Sequence, residues 1–240
     1  MLSLPQHITW IFILTTLVAF VFFVFAIINS PVQSISKKGT FGALLLLLWL
    51  IFQSTLALNG WYMDRKAVPP HVAFPIVTVT IILLLFFILP RGKRFVDGLS
   101  VSTLLFMHII RIPVEICLYW LAGEKQVPWS MTFKGMNFDI LFGITAPVIW
   151  YIYSYRKLNP KALLAWNVLG LISVLMVVIR GIGAAPTALQ VWDFDQPNYA
   201  VIHFPFIWLP SFIVPFVIFS HIVVIRRVRA GAKAIAQDVS

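Results

Sequence analysis

The chain is poor in charge, in acid and in cysteine. Only 11% of its 240 residues are charged, and Asp and Glu together number 8. A soluble domain carries about 25% charged residues. There is too little polar side chain here to coat a globule in water, which excludes a soluble enzyme, a disordered chain and a secreted disulfide scaffold. The single cysteine, Cys117, excludes an internal disulfide and a multi-cysteine metal site. The sequence also lacks a nucleophile elbow, a phosphate loop and an HExxH metal motif. No low-complexity stretch and no convincing internal repeat is present, although repeats are common in secondary transporters.

What the chain has is apolar residue in long runs. Hydrophobic residues make up 60% of it, and the mean hydropathy is +0.94. A spanning helix needs about 20 mostly apolar residues. Seven runs qualify, at about residues 8–28, 41–61, 72–89, 99–121, 138–155, 162–179 and 204–225. They are continuous rather than alternating, so helices are expected and not a membrane barrel. The fold expected is all-α: a polytopic membrane helix bundle of seven transmembrane helices, forming one domain over residues 1–240. The first run has no Lys or Arg before Trp10 and exceeds the usual h-region of about 7–15 residues, so it reads as a retained helix and not a cleaved signal.

The formal net charge of +10 reflects where the cations sit. Lys37, Lys38, Arg91, Lys93, Arg94, Arg156, Lys157, Lys161, Arg226, Arg227, Arg229 and Lys233 fall on one side of the seven runs. Arg65, Lys66, Lys125, Lys134 and Arg180 fall on the other, and Arg111 lies inside the fourth run. The positive-inside bias puts the N-terminus outside and the C-terminus in the cytoplasm. The expected partner is the lipid bilayer of a plasma membrane, and nucleic acid is not expected. Trp10, Trp61, Tyr62, Tyr119 and Trp120 fall near the outer interface, and Tyr151, Tyr153 and Tyr155 near the inner one, as amphipathic rings prefer. The longer connections, 122–137 and 181–203, are on the outer side.

The fourth run carries residues that lipid does not tolerate. His108, Arg111, Glu115 and Tyr119 recur at intervals of three, four and four. At 100° per residue they share an arc of about 80°. A charge at the bilayer centre costs from about 2.5 to more than 10 kcal/mol. This stripe must therefore face protein or trapped water, and Arg111 and Glu115 are spaced to pair. Pro113 removes a backbone donor from the Ile109 carbonyl and favours a kink. Asp139 opens the fifth run, where a helix N-terminus favours an anion, and Gly143 and Ala146 permit close helix contact. His71 and His203 lie at the outer ends of the third and seventh runs. His108 and His221 read as lying at different inner depths. Asn167 reads as an interhelical hydrogen bonder. Pro205, Pro210 and Pro215 make the seventh run irregular.

The phrases RIPVE, MTFKGMNFDILFGITAP, WNVLGL and FPFIWLP together resemble an uncharacterised group of bacterial seven-helix membrane proteins, over about residues 107–227. The resemblance implies a fold and a bacterial inner-membrane setting, and it implies no activity. A retinal pump is excluded because the seventh run has no lysine for a Schiff base. Zinc hydrolases of the ceramidase and progestin-receptor type need paired histidines on the last helix, which this chain lacks.

Three functional classes remain. The first is an outward-facing polar intramembrane site of Arg111, Glu115, Asp139, His71, His203, Tyr119 and His108 that binds, senses or transports a small molecule or ion, with Glu115 as a proton or cation site. The second is a membrane-embedded metal-dependent enzyme using His71, His203 and a carboxylate, or a haem held between His108 and His221. The third is a structural or assembly protein whose stripe specifies helix packing. The sequence identifies no cofactor and assigns no resident metal.

Overall fold

The computed structural model describes residues 4–238, with side chains described to Gly231; Lys233 therefore lies outside the described side chains. Among the described residues there are helices and turns and no strand. The helices are α1 (Gln6–Ile28), α2 (Gln33–Ser36), α3 (Gly39–Leu58), α4 (Ala73–Ile88), α5 (Pro90–Asp97), α6 (Val101–Phe106), α7 (Arg111–Gly123), α8 (Asp139–Tyr155), α9 (Pro160–Gly183) and α10 (Val214–Asp238).

Five segments are long and apolar enough to cross a membrane, and a sixth is added if the bent pair α4–α5 counts as one span. The five are Gln6–Ile28, Gln33–Leu58, Val101–Gly123, Pro160–Gly183 and Leu209–Gly231. Helix α8 has 17 residues and shares their apolar character.

Polarity is inverted relative to a soluble protein. Leu44, Leu48, Ile51, Ile81, Ile144 and Ile172 are exposed, whereas Arg111, Glu115, Asp139, His108 and His221 are buried. Large exposed apolar surface on monomers marks a partner or a membrane. Hydroxyls on the apolar helices are satisfied locally: Thr16, Ser54, Thr80 and Thr145 each donate to the carbonyl four residues back.

The segment α6–α7 and the helix α10 are the most enclosed spans, while α3 and α4 are peripheral. Helix α10 packs along α9 and also meets α6, and α8 packs on α6, α7 and α9. The fourth span is not one α-helix. Met107–Ile110 form a 3₁₀ turn between α6 and α7. Pro113 supplies no N–H to the Ile109 carbonyl, so this stretch tightens to i→i+3 bonding. The seventh run starts its membrane helix later than residue 204. A 3₁₀ turn at Ala200–Ile202 and a π-turn at Leu209–Ile213 precede α10. Pro210 and Pro215 fall in the first turns of these elements, where a missing N–H costs little.

The two long connections close one end of the bundle against each other. Gln196 donates to the carbonyls of Ala122 and Val127, and Ser130 donates to Asp193. At the opposite end α5 turns 89° from α4. There Arg226 grips the Asp97 carboxylate through Nε and Nη2 at 2.7 and 2.8 Å, and Arg227 donates to the Asp97 carbonyl.

Candidate functional site

Arg111 stands at the centre of a buried network that joins four helices. It begins α7 and is 3% exposed. Its Nη2 lies 2.5 Å from Asp139 Oδ1 and its Nε donates to Asp139 Oδ2 at 3.2 Å. Nη1 bonds His221 Nε2 of α10 at 3.0 Å, and Nη2 also donates to the Gly170 carbonyl of α9 at 3.3 Å. The Phe142 ring of α8 lies beneath the guanidinium, 5.1 Å away, close enough for a cation–π contact.

The ion pair differs from the one expected. Arg111 does not pair with Glu115, one turn along its own helix; it pairs with Asp139 across the α7–α8 interface. A guanidinium fork is best satisfied by two coplanar acceptors, and Asp139 on the facing helix offers both oxygens. Close approach makes this possible: a Cβ on Gly143 would fall 2.9 Å from Ile112 and 3.3 Å from the Arg111 Cβ. Asp139 also occupies the first turn of α8, where the helix dipole favours its charge. Ser173 of α9 donates to it at 2.5 Å.

Glu115 is drawn elsewhere. Asn137 Nδ2 donates to its Oε1 at 2.6 Å and to the Met131 carbonyl at 2.9 Å. The Asn137 Oδ1 accepts from the Asp139 backbone N–H. Glu115 Oε2 is buried and has no hydrogen-bond partner among the described residues.

Their hydrogen-bond partners fix the tautomers of the two buried histidines. A guanidinium only donates, so His221 Nε2 accepts from Arg111. The His221 Nδ1–H then donates to Asn167 Oδ1 at 3.0 Å, while Asn167 Nδ2 donates to the Leu163 carbonyl. His221 is thus neutral, and Asn167 is the interhelical bonder expected of it. His108 stacks face to face on His221, with centroids 4.1 Å apart. Ser220 Oγ gives its proton to the Leu104 carbonyl, so His108 Nε2–H donates to Ser220 at 3.1 Å. His108 Nδ1 is buried without a partner among the described residues.

The expected difference in depth between His108 and His221 is therefore wrong. The last membrane segment runs to Gly231 and not to residue 225, which puts His221 near its middle. Face-to-face rings at this spacing cannot flank a haem iron from opposite sides, and His221 already uses both nitrogens.

The remaining candidates lie apart from this network. His71 stacks on Trp61 at 4.2 Å and bonds its carbonyl through Nδ1. His203 bonds the Tyr199 carbonyl through Nδ1. Tyr119 accepts from Lys134 and lines a cleft of about 350 Å³ with His7, Trp120 and Trp129. That cleft is not lined by Arg111, Glu115 or Asp139, so it is not the shared cavity expected. Among the described residues no three His, Cys, Asp or Glu side chains converge on a metal site.

Burial holds the His203 imidazole below its ordinary value of 6.5. A group with a depressed folded-state pKa lends stability that is present above its unfolded value and is lost as pH falls through the folded one. Replacing His203 with Gln is expected to flatten the acid limb of a melting-temperature profile, with the two proteins running parallel above about pH 6.5 and diverging as the pH falls below it.

The sequence does not single out Ser173, Asn137, Ser220 or Gly170 as site residues, and it offers His221 only as a haem ligand. A signal for some of them existed: Asn167, Gly170 and Ser173 are spaced by three on α9 and form a small and polar face on a greasy helix. Asn137 gave none, because it precedes a helix and reads as an ordinary turn residue.

No curated protein and no solved structure matches the chain. Residues 68–229 match the model of a domain of unknown function, DUF8737, and this stretch contains all seven candidate residues and the whole network around Arg111. Because the match covers more than half of the sequence, the chain belongs to the DUF8737 family.

Proposed function

We propose that the protein is a seven-span plasma-membrane protein, N-terminus outside, whose buried network binds a proton or small cation at Glu115, as part of sensing or transport. Helix α8 supplies the seventh span: its 17 residues reach about 25 Å at about 1.5 Å per residue, the short end of spanning length. The asymmetry of Lys and Arg supports the orientation.

One observation carries the functional reading. Glu115 Oε2 is an unpartnered, buried carboxylate oxygen at the end of a continuous chain of polar groups, Glu115–Asn137–Asp139–Arg111–His221–Asn167. Intramembrane chains of Asp, Glu and His mark ion pathways and proton relays. The Arg111–Asp139 pair is already neutral, which leaves Glu115 as the group free to take a positive ligand.

The test uses proteoliposomes holding the full chain under imposed proton, sodium or potassium gradients, together with melting shifts in the same ions. A response to one of them is expected, and Glu115→Gln is expected to weaken it about tenfold or more. No response in the wild type, or an unchanged response in Glu115→Gln, refutes the reading.

A second reading is favoured by one feature. Arg111 has four of its five N–H donors engaged by protein, which suits a structural clamp. Under that reading Arg111→Gln combined with Glu115→Gln costs stability and leaves cellular function intact.

A further inference from the structure

A groove of about 510 Å³ runs along the bundle between α4 and α9, floored by the π-turn and α10. It exists because α4 stands off from the core: Pro75 is the one residue of that helix that is buried. Its lining is almost wholly apolar, with Ile76, Leu83 and Leu84 facing Leu175, Val178 and Ile218. From Ala73 to Phe87 it follows α4 over about 21 Å, about two thirds of the hydrocarbon thickness of about 30 Å.

Charge identifies what fits there. At the end next to α5, the lining residues Phe87 and Ile222 each stand four positions before a cation, Arg91 and Arg226. The 89° turn swings α5 across the end of α4. On α5 Arg91 and Arg94 are exposed and Lys93 is half-buried, while Gly92 and Val96 face the protein. Arg227 lies beside them, bonded to the Asp97 carbonyl. Asp97 is the one acid of α5, and Arg226 occupies it. An apolar channel bounded by two helices that each run on into cations, Arg91, Lys93 and Arg94 after α4 and Arg226 and Arg227 along α10, is complementary to an amphiphile with an anionic head.

We propose that this groove is a binding site for an anionic glycerophospholipid, with one acyl chain between α4 and α9 and the phosphate on Arg91, Lys93 and Arg94. The inference is independent of the ion reading of Glu115. It differs from ordinary lipid contact because the headgroup is selected: basic segments beside a membrane helix attract anionic lipid.

The test is retention of lipid by the purified full chain, followed by native mass spectrometry from nanodiscs of equal phosphatidylglycerol and phosphatidylcholine. Wild-type protein is expected to keep phosphatidylglycerol about tenfold over phosphatidylcholine. Arg91→Gln with Arg94→Gln is expected to abolish that preference, and Val178→Trp, which plugs the groove, to lower retention of both lipids. Equal retention of the two lipids by the wild type overturns the proposal, as does an undiminished preference in the Arg91/Arg94 variant. If Val178→Trp fails to fold by circular dichroism, the Arg91/Arg94 variant still decides, because both side chains are exposed.

Discussion

Asp139→Leu is expected to destabilise the folded protein by about 3–5 kcal/mol, the cost of leaving a buried charge without its partner. The charge is Arg111, which is 3% exposed and has no other acid in salt-bridge contact among the described residues. Its remaining acceptors are His221 and the Gly170 carbonyl, both neutral. The loss is amplified because Ser173 and Asn137 are also oriented by Asp139. Reversible unfolding in mixed micelles measures it. Adding Arg111→Met to Asp139→Leu is expected to recover much of the loss, since an apolar pair of similar volume often replaces a buried ion pair without penalty. A network needed for ion handling would recover stability in this double variant without recovering function.

Gly170→Val carries the second large effect. An ideal Cβ at this position would sit 2.5 Å from His221 Cε1 and 2.7 Å from Nε2. These are ring atoms fixed on both sides, by Arg111 and Asn167, and stacked against His108. The ring has no flexible end to withdraw. Overpacking of this kind costs about 1–3 kcal/mol, and breaking the Arg111–His221 bond adds to it. Nitrogen NMR of labelled histidine reports the event separately from the melting curve. The wild type should show His221 as the Nδ1–H tautomer, and Gly170→Ala, the milder change, should already shift that signal.

Much of the architecture was legible because a membrane imposes simple rules. Apolar runs long enough to span marked most of the helices, and the spacing of His108, Arg111 and Glu115 showed that one face of the fourth span had to be hidden; all three are buried. The choice of partner for Arg111 was not legible. Glu115 and Asp139 are both within a side chain's reach in principle, and the decision lies in the approach of α8 at Gly143, a tertiary fact. Helix starts also misled. A 3₁₀ turn at Ala200–Ile202 and a π-turn at Leu209–Ile213 precede α10, and its apolar segment continues to Gly231 through residues that read as a basic tail. That displacement brought His221 level with His108. His71 and His203, grouped with the site from sequence, bond the backbone carbonyls of Trp61 and Tyr199 instead.

Two double-mutant cycles, Arg111 with Asp139 and Arg111 with Glu115, compare the two possible ion pairs in one protein. Contacting residues show coupling of about 0.5–3 kcal/mol, and separated ones add to within about 0.5 kcal/mol. The expected result is coupling at the upper end of that range for Arg111 with Asp139 and much weaker coupling for Arg111 with Glu115. Near-additivity of Arg111 with Asp139, or the reverse ranking, would contradict the network described above.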